Sequence, residues 1–266
     1  MKSKLDIAIL TAGRVDLFSK CIDAILPEMR PEYSIQVCNN GYPSKEYEEV
    51  YKKLPQGTVI KRLNNNLGFG GGANTAIKAG TAPLVLFITD DVFIHPDTVS
   101  KLLKTMEEIT IDLCGYKLLF PEDSVDPTRP GGMVQHIGMA SNIRGDMLHP
   151  LVGWHPDNPK CKISRDVLAV TGASFIVRRL AFQRVGGFDP IYGKGYYEDM
   201  ELCMAIRASS KDSKGGRIYI NAEATATHGV GQTMKNEKSP PPMQQNAMIF
   251  KSRWMSQIPW TEHTMW

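Results

Sequence analysis

The sequence predicts an α/β fold, a mostly parallel sheet flanked by helices. Three observations carry that expectation. Through the first 110 residues short apolar runs alternate with helical patterns, which means parallel pairing and right-handed crossovers. The run Leu84-Val85-Leu86-Phe87-Ile88-Thr89 shows no polar alternation, the pattern of a strand covered on both faces. It then meets two adjacent carboxylates, Asp90 and Asp91, and ligands of open α/β sheets bind beyond the carboxyl ends of strands.

Each element follows from local pattern. Leu5-Asp6-Ile7-Ala8-Ile9-Leu10-Thr11 reads as the first strand, broken by Ala12-Gly13-Arg14. Asp16 is placed to cap a helix with Leu17, Cys21, Ala24 and Ile25 on one face. Residues 34–38 form a second strand, closed by the turn Asn39-Asn40-Gly41. Ser44 caps a helix with Tyr47, Val50, Tyr51 and Leu54 on one side, and a third strand spans 58–63. A glycine-rich loop over 64–74 leads into helix at 75–79, and the central strand is followed by a helix over about 96–109. The second half opens on a strand at 113–120. Residues 121–159 are rich in Pro, Gly, Asp and Asn, and an insertion of that length is more often functional than idle. A strand over 167–177, a short helix at 180–185, a helix from Tyr197 to about 209 and a strand over 217–227 ending at His228 complete the pattern. Met243, Ala247, Phe250, Trp254 and Ile258 then lie at helical spacing behind Pro240-Pro241-Pro242.

Composition narrows the function. At 266 residues the chain is long enough for one large domain, or a domain with a small appendage. A formal charge of +3 is too slight to argue for nucleic acid. No apolar run approaches a membrane span, and the N-terminal one ends by Gly13-Arg14, too early for a secretory leader. Cys21, Cys38, Cys114, Cys161 and Cys203 are scattered without CxxC spacing, so free thiols in a reducing cytoplasm are expected and a structural zinc is not.

Adjacent carboxylates at a strand end suit a hard divalent cation, and the cation suits a phosphorylated ligand; they equally suit solvated acids ahead of a helix. Gly68-x-Gly70-x-x-Ala73 formally fits the dinucleotide fingerprint but follows the third strand, whereas the first turn, Thr11-Ala12-Gly13-Arg14, has no such glycines. A nicotinamide or flavin fold is set aside on that ground, and no Gly-Lys-Ser/Thr marks a P-loop. The glycines would let the backbone approach a ligand closely, with Asn64, Asn66 and Asn74 offering neutral hydrogen bonds. Glu198, Asp199 and Glu201 open a helix, either as site acids or as charges complementing its dipole. His228 ends a strand as a metal ligand or as a buried, hydrogen-bonded residue. His95, His136, His149, His155 and His263 make no metal-like spacing and read as surface or loop residues.

One ordered set of motifs goes further. Asn66-x-Gly68-Phe69 with Asn74, Thr89-Asp90-Asp91, Gly172-Ala173-Ser174 with Arg178, Gly186-Gly187-Phe188-Asp189, Tyr197-Glu198-Asp199-Met200-Glu201-Leu202 and His228 occur in one order. The series resembles the inverting GT-A glycosyltransferases of family 2, especially the rhamnosyltransferase-like branch. The likeness covers residues 7–231 and leaves 121–159 and the tail unmatched. It implies a Rossmann-like GT-A fold over 1–232, with a nucleotide-binding half (1–110), an acceptor and catalytic half (111–232) and a helical tail (233–266). It also implies a metal-dependent, inverting transfer from a nucleoside diphosphate sugar to a glycan or other hydroxyl acceptor, as in polysaccharide biosynthesis, with Mn²⁺ or Mg²⁺ as cofactor.

Carried over position by position, the resemblance makes Asp91 the ligand of an ion bridging the donor diphosphate. Asp90 would contact the ribose or the ion's shell, or else cap the following turn. Thr11 and Arg14 would hold the nucleotide; Asn39 stands where the family usually has an aspartate that accepts from the base. Asn66, Gly68, Phe69 and Asn74 fall in the donor loop. Asp199 resembles the general base, Glu198 a residue orienting acceptor or base, and His228 a third metal ligand whose imidazole leans toward Mn²⁺ over Ca²⁺. Trp154 and His155 would stack on a sugar or simply pack. Lys235, Lys238, Lys251 and Arg253, with Trp254, Trp260 and Trp266, read as part of a tail packed on its own domain or, alternatively, as a peripheral membrane or partner contact. Two other readings stay open. A sugar-1-phosphate nucleotidyltransferase would want a glycine- and lysine-rich loop directly after the first strand. A carbohydrate-binding protein without turnover would be indifferent to loss of Asp199.

Overall fold

The computed structural model describes residues 3–142, 144, 146–210, 216–229 and 242–258. Its strands are β1 (Leu5–Thr11), β2 (Tyr33–Asn39), β3 (Val59–Arg62), β4 (Leu84–Thr89), β5 (Val92–Ile94), β6 (Ile111–Leu119), β7 (Val134–His136), β8 (Ala140–Ser141), β9 (Met147–Leu148), β10 (Arg165–Asp166), β11 (Ser174–Arg178) and β12 (Arg217–His228). The helices are α1 (Val15–Ile25), α2 (Lys45–Tyr51), α3 (Gly68–Lys78), α4 (Thr98–Thr105), α5 (Arg179–Arg184), α6 (Glu198–Ser209) and α7 (Met243–Trp254).

One 10-stranded sheet runs in the order β10-β12-β6-β11-β4-β1-β2-β3, with β5 on β12 and β7 on β6. β4, β1, β2 and β3 are mutually parallel. β11 runs against both β4 and β6, and β12 runs with β6. The carboxyl ends of β4, β6 and β12 therefore share one edge of the sheet with the entrance to β11. That shared edge is what assembles the site.

The unbroken apolar strands are covered on both faces. Ile7, Ile9, Leu86 and Ile88 enter one core with Phe18, Ile22, Tyr47, Val99 and Leu102 from α1, α2 and α4. Ala8, Leu10, Val85 and Phe87 enter the other with Ala73, Ile77, Phe182, Leu202 and Ile206 from α3, α5 and α6. Successive residues of a strand point to opposite faces, so β1 and β4 feed both layers at once. A buried ion pair fastens the two halves of the chain. Arg179 of α5 donates to the Asp6 carboxylate of β1 and to the carbonyls of Ala82 and Ile77.

Three local expectations change. The glycine-rich stretch is not a loop; it is the opening of α3. Its glycines serve close packing of protein on protein. A Cβ at Gly68 (φ +75°) would stand 2.1 Å from the Gly193 carbonyl oxygen, and one at Gly72 would stand 2.5 Å from Leu10. Residues 167–173 are not strand. Val167, Leu168, Ala169 and Val170 are buried, and a buried coil carries the same apolar run as a strand; Ala169 makes only an isolated bridge to Met139. Asp16 lies in the first turn of α1, with Arg14 at the cap position.

All five cysteines are free and buried. Among the described residues no helix is long and apolar enough to cross a membrane. Where the tail is described, its polar side chains bind the domain: Lys251 pairs with Asp146, and Arg253 with Asp189 and Glu201. The Trp254 indole donates to Glu201. Lys235, Lys238, Trp260, Trp266, His263 and Pro240-Pro241 lie outside the described residues.

Candidate active site

A cleft of about 610 Å³ opens along the shared strand edge. Asn66, Gly68, Phe69, Asp90, Asp91, Glu198, Asp199 and His228, eight of the residues singled out from sequence, line it. The others support it from behind. Thr11 is fully buried and its hydroxyl donates to Asp90 at 2.6 Å, itself 2.8 Å from the Tyr47 hydroxyl. Arg14 forks onto Asp16 through two hydrogen bonds. Asn39 is 1% exposed and commits its amide to Tyr42 and Tyr51. Asn74 brackets the backbone of Phe188, accepting from its N–H and donating to its carbonyl.

The two aspartates at the end of β4 do different jobs. Asp90 turns back toward the first loop, accepting from Thr11 and from the Ala12 N–H. Burial and the adjacent Asp91 charge push its carboxyl up to about 7. Asp91 faces the cleft, with one oxygen taking the Thr89 hydroxyl at 2.7 Å and the other 3.5 Å from His228 Nε2. Burial works against its ionisation, yet the adjacent His228 ring and the Thr89 hydroxyl prevail and hold it below the usual carboxylate range.

His228 is oriented by Gln135 of β7. The Gln135 amide nitrogen donates to the His228 carbonyl at 2.9 Å, which turns its oxygen to His228 Nδ1 at 2.5 Å. Nδ1 must then carry a proton, and Nε2 points toward Asp91. A separation of 3.5 Å is long for a hydrogen bond and ordinary for two ligands of one cation. Fixing a ligand histidine through its other nitrogen is the usual support of a metal site. Carboxylate oxygen and imidazole nitrogen suit Mn²⁺. Among the described residues no group of three His, Cys, Asp or Glu side chains could hold a metal. Asp91 and His228 are the side chains that could hold such an ion, with its remaining positions open to water or to a ligand's oxygens.

α6 presents its first two residues to the same cleft. Asp199 accepts from the Gly172 N–H at 2.9 Å and the Met200 N–H at 2.8 Å. A Cβ on Gly172 would stand 3.2 Å from that of Asp199 and 3.0 Å from the Phe69 ring, so a bare backbone is what lets the carboxylate dock there. Burial raises the Asp199 carboxyl above its ordinary value, against the pull of those two N–H groups. Glu198 is 7% exposed, its Oε2 has no hydrogen-bond partner, and burial with the Asp199 charge pushes it up to about 8. A proton shared between the two acids near neutral pH therefore favours Glu198, whose carboxyl accepts no balancing hydrogen bond at Oε2, over Asp199, whose charge two backbone N–H groups support.

Tyr196 and Tyr197, just ahead of them, both have positive φ, +72° and +73°. Side chains seldom adopt that backbone, and it persists only where the surroundings enforce it. Here Asn246 of α7 does so, donating to the carbonyls of Tyr192, Gly195 and Tyr196, while Phe250 packs on Tyr197. The tail helix is thus a brace for the acids of α6. Asn40 plays a like part on the other side, tying Asn66, Leu67 and Gly68 together.

The long insertion does reach the cleft, but not through Trp154 and His155, which lie away from it. It contributes Gln135, His136 and His149. His149 is the exposed loop residue the sequence suggested, but reading His136 that way was incorrect: it is 2% exposed, ends β7 and bonds His149 between their Nδ1 atoms at 3.1 Å. Nothing in spacing announces the pair. Only the antiparallel return of β7 along β6 brings them in.

A curled, mostly parallel sheet with an acidic strand end and an acidic helix start lining one cleft defines the fold as GT-A type. Residues 6–182 match the family profile "Glycosyl transferase family 2". The chain belongs to that family. It is 26% identical over 235 residues to the O-antigen biosynthesis protein RfbC of Myxococcus xanthus, covering 85% of this chain and 17% of the relative. It is 24% identical over 238 residues to the uncharacterized protein y4gI of Sinorhizobium fredii, covering 84% and 25%. The chain therefore spans a quarter or less of the curated relatives it matches. Among solved structures, GalNAc-T7 with UDP, GalNAc and Mn²⁺ superposes with a TM-score of 0.71 at 12% identity, over 96% of this chain and 49% of that one. S. aureus TarS residues 1–349 with UDP-GlcNAc gives 0.61 at 16%, over 95% and 66%. The mannosyltransferase PcManGT of Pyrobaculum calidifontis with GDP-Man and Mn²⁺ gives 0.57 at 12%, over 94% and 70%.

Proposed function

We propose that this chain is an inverting, cation-dependent hexosyltransferase that moves a sugar from a nucleoside diphosphate to an acceptor hydroxyl in glycan synthesis. One observation carries the reading: the Asp91–His228 pair and the Glu198–Asp199 pair line a single cleft at the carboxyl edge of the sheet. Nucleotide sugars and Mn²⁺ in fold neighbours, and O-antigen biosynthesis in a relative's name, support it.

Asp91 and His228 would hold a divalent cation, which supplies neutralising charge to a departing diphosphate. Asp90, with Thr11, fixes the first loop beneath the nucleotide. Asp199 takes the acceptor's proton as its oxygen attacks the anomeric carbon from the face opposite the leaving group. Each Asp199 oxygen accepts one backbone N–H and keeps a second lone pair for that proton. Protonated Glu198 donates a hydrogen bond to sugar or acceptor and adds no negative charge beside the base.

A thermal-shift screen of UDP-, dTDP- and GDP-sugars with and without Mn²⁺ tests this. At a ligand concentration near 100 Kd the native state gains about 2.7 kcal/mol, so one donor should raise Tm by about 5 °C or more, only with the cation. No shift with any donor would overturn the proposal.

Glu198 gives a substrate-free check. Its folded value of about 8 exceeds its ordinary 4.5, so between those values the native state binds more protons than the unfolded one. Stability must then fall as pH rises through that window. Glu198→Gln should flatten this decline and raise Tm by a few degrees at pH 8, while matching the wild type near pH 4.5. Parallel melting curves across the window would show instead that Glu198 ionises normally.

A further inference from the structure

The hydrogen bonds around His136 leave its proton no choice of place. Its Nε2 accepts from two backbone donors, the Gly138 N–H at 3.2 Å and the Thr171 N–H at 3.3 Å. Neither donor can accept, so Nε2 carries a lone pair and the ring's single proton sits on Nδ1. That Nδ1–H points at His149 Nδ1, 3.1 Å away. His149 Nδ1 is therefore the acceptor, and the His149 proton is placed on Nε2. His149 stands exposed in the cleft that Asp199 also lines, and the Thr171 N–H that holds His136 is followed directly by the Gly172 N–H that holds Asp199. Two backbone amides thus dictate, through two imidazoles, that the second nitrogen of His149 is a donor, on a side chain lining the same cleft as the Asp199 carboxylate.

We infer that His149 is an acceptor-orienting residue, its Nε2–H donating to the oxygen of the acceptor hydroxyl whose proton Asp199 receives, and that His136 is the positioning residue that fixes this tautomer. The inference rests on the glycosyltransferase reading above and deepens it. A hydroxyl oxygen has one proton and two lone pairs. With the proton directed to Asp199 and one lone pair held by His149, the remaining lone pair is left to attack. No covalent bond forms to His149 and its proton stays in place, so the step balances as before: the acceptor O–H proton goes to Asp199 and the bond to the diphosphate breaks. Both rings are kept neutral for the task. Burial lowers the ionisation range of His136 far below the ordinary, helped by His149 and His228, and the protein packed around the His149 ring, open to the cleft on one side, lowers that of His149 against the pull of Asp199.

The test separates acceptor from donor. In wild-type protein labelled with ¹⁵N-histidine, ring nitrogen shifts and couplings should report the Nε2–H form of His149, with Nδ1 as acceptor. With Mn²⁺ and whichever nucleotide sugar the screen selects, two rates are then compared, nucleoside diphosphate release to water and transfer to a panel of methyl hexosides. His149→Leu should cut transfer by about tenfold or more, the loss of one hydrogen bond, and leave release to water within twofold. His149→Gln, which keeps an N–H donor, should recover most of it. A His149 proton on Nδ1, an equal fall in both rates, or unchanged transfer in His149→Leu would each overturn the inference. If wild-type protein releases nucleoside diphosphate from no donor, the broader reading fails, while the ring spectra still decide the tautomer.

Discussion

Replacing Asp199 by Asn should lower the transfer rate by about 10²–10⁴-fold, the usual contribution of a positioned general base, with donor affinity unchanged. Donor binding is spared because Asp91 and His228, the residues proposed to hold the cation, are left untouched. The side-chain amide is isosteric but must turn its NH₂ toward the N–H of either Gly172 or Met200, both of which the carboxylate now accepts. One of those bonds is lost, so a melting curve has to accompany the rate. The decisive quantities are kcat for transfer and Kd for the donor, measured separately. A fall in kcat alone identifies the base. An undiminished rate would move the role to Glu198, the neighbouring carboxyl. The raised value of Asp199 favours the assignment, since a base whose conjugate acid is weaker accepts the proton more readily.

How much of this could be read from the chain differs by region, for physical reasons. The central strand was legible because burial on both faces leaves a local trace, six residues without polar alternation, and the acids at its end follow it directly. The acids of α6 were marked by the ordered motifs around them, since alone they read as charges complementing a helix dipole. The start of α3 was not legible. Glycine costs about 1 kcal/mol relative to Ala inside a helix, so Gly68-Phe69-Gly70-Gly71-Gly72 argued for a loop. Tertiary packing overrides that preference, because only a helix without Cβ atoms at Gly68 and Gly72 fits against Gly193 and Leu10.

Gln135 was hidden for a different reason. Its partner His228 is 93 residues away, and the contact exists only because β7 and β12 flank β6. Asn246 likewise acts on carbonyls 50 to 54 residues earlier. Such residues sit in segments whose own pattern says little, and they act on backbone strained at Tyr196 and Tyr197, which no side-chain periodicity records. The insertion over 121–159 was marked by its composition as worth attention; which of its residues mattered was decided by the sheet it folds back onto.

Substituting Asn for Asp91 should abolish the Mn²⁺-dependent part of donor stabilisation. The fold should survive, since an amide oxygen at that position still accepts the Thr89 hydroxyl and the Asp91 backbone carbonyl still takes the Gly229 N–H. What disappears is the charge. An amide cannot neutralise a cation, and one imidazole is a poor site by itself. Losing a supporting partner of a metal ligand typically costs 10- to 100-fold in affinity, and losing the ligand itself should cost at least that. Gln135→Leu supplies the graded comparison, because it leaves both ligands present and frees only the His228 ring. Measured as the Tm difference between Mn²⁺ and chelator at fixed donor, the expected order is wild type, then Gln135→Leu, then Asp91→Asn at zero. An Asp91→Asn protein that keeps the full Mn²⁺-dependent shift would show that the cation, if one binds, is held elsewhere. The facing of Asp91 and His228 across 3.5 Å would then be an ordinary pairing of a carboxylate with an imidazolium.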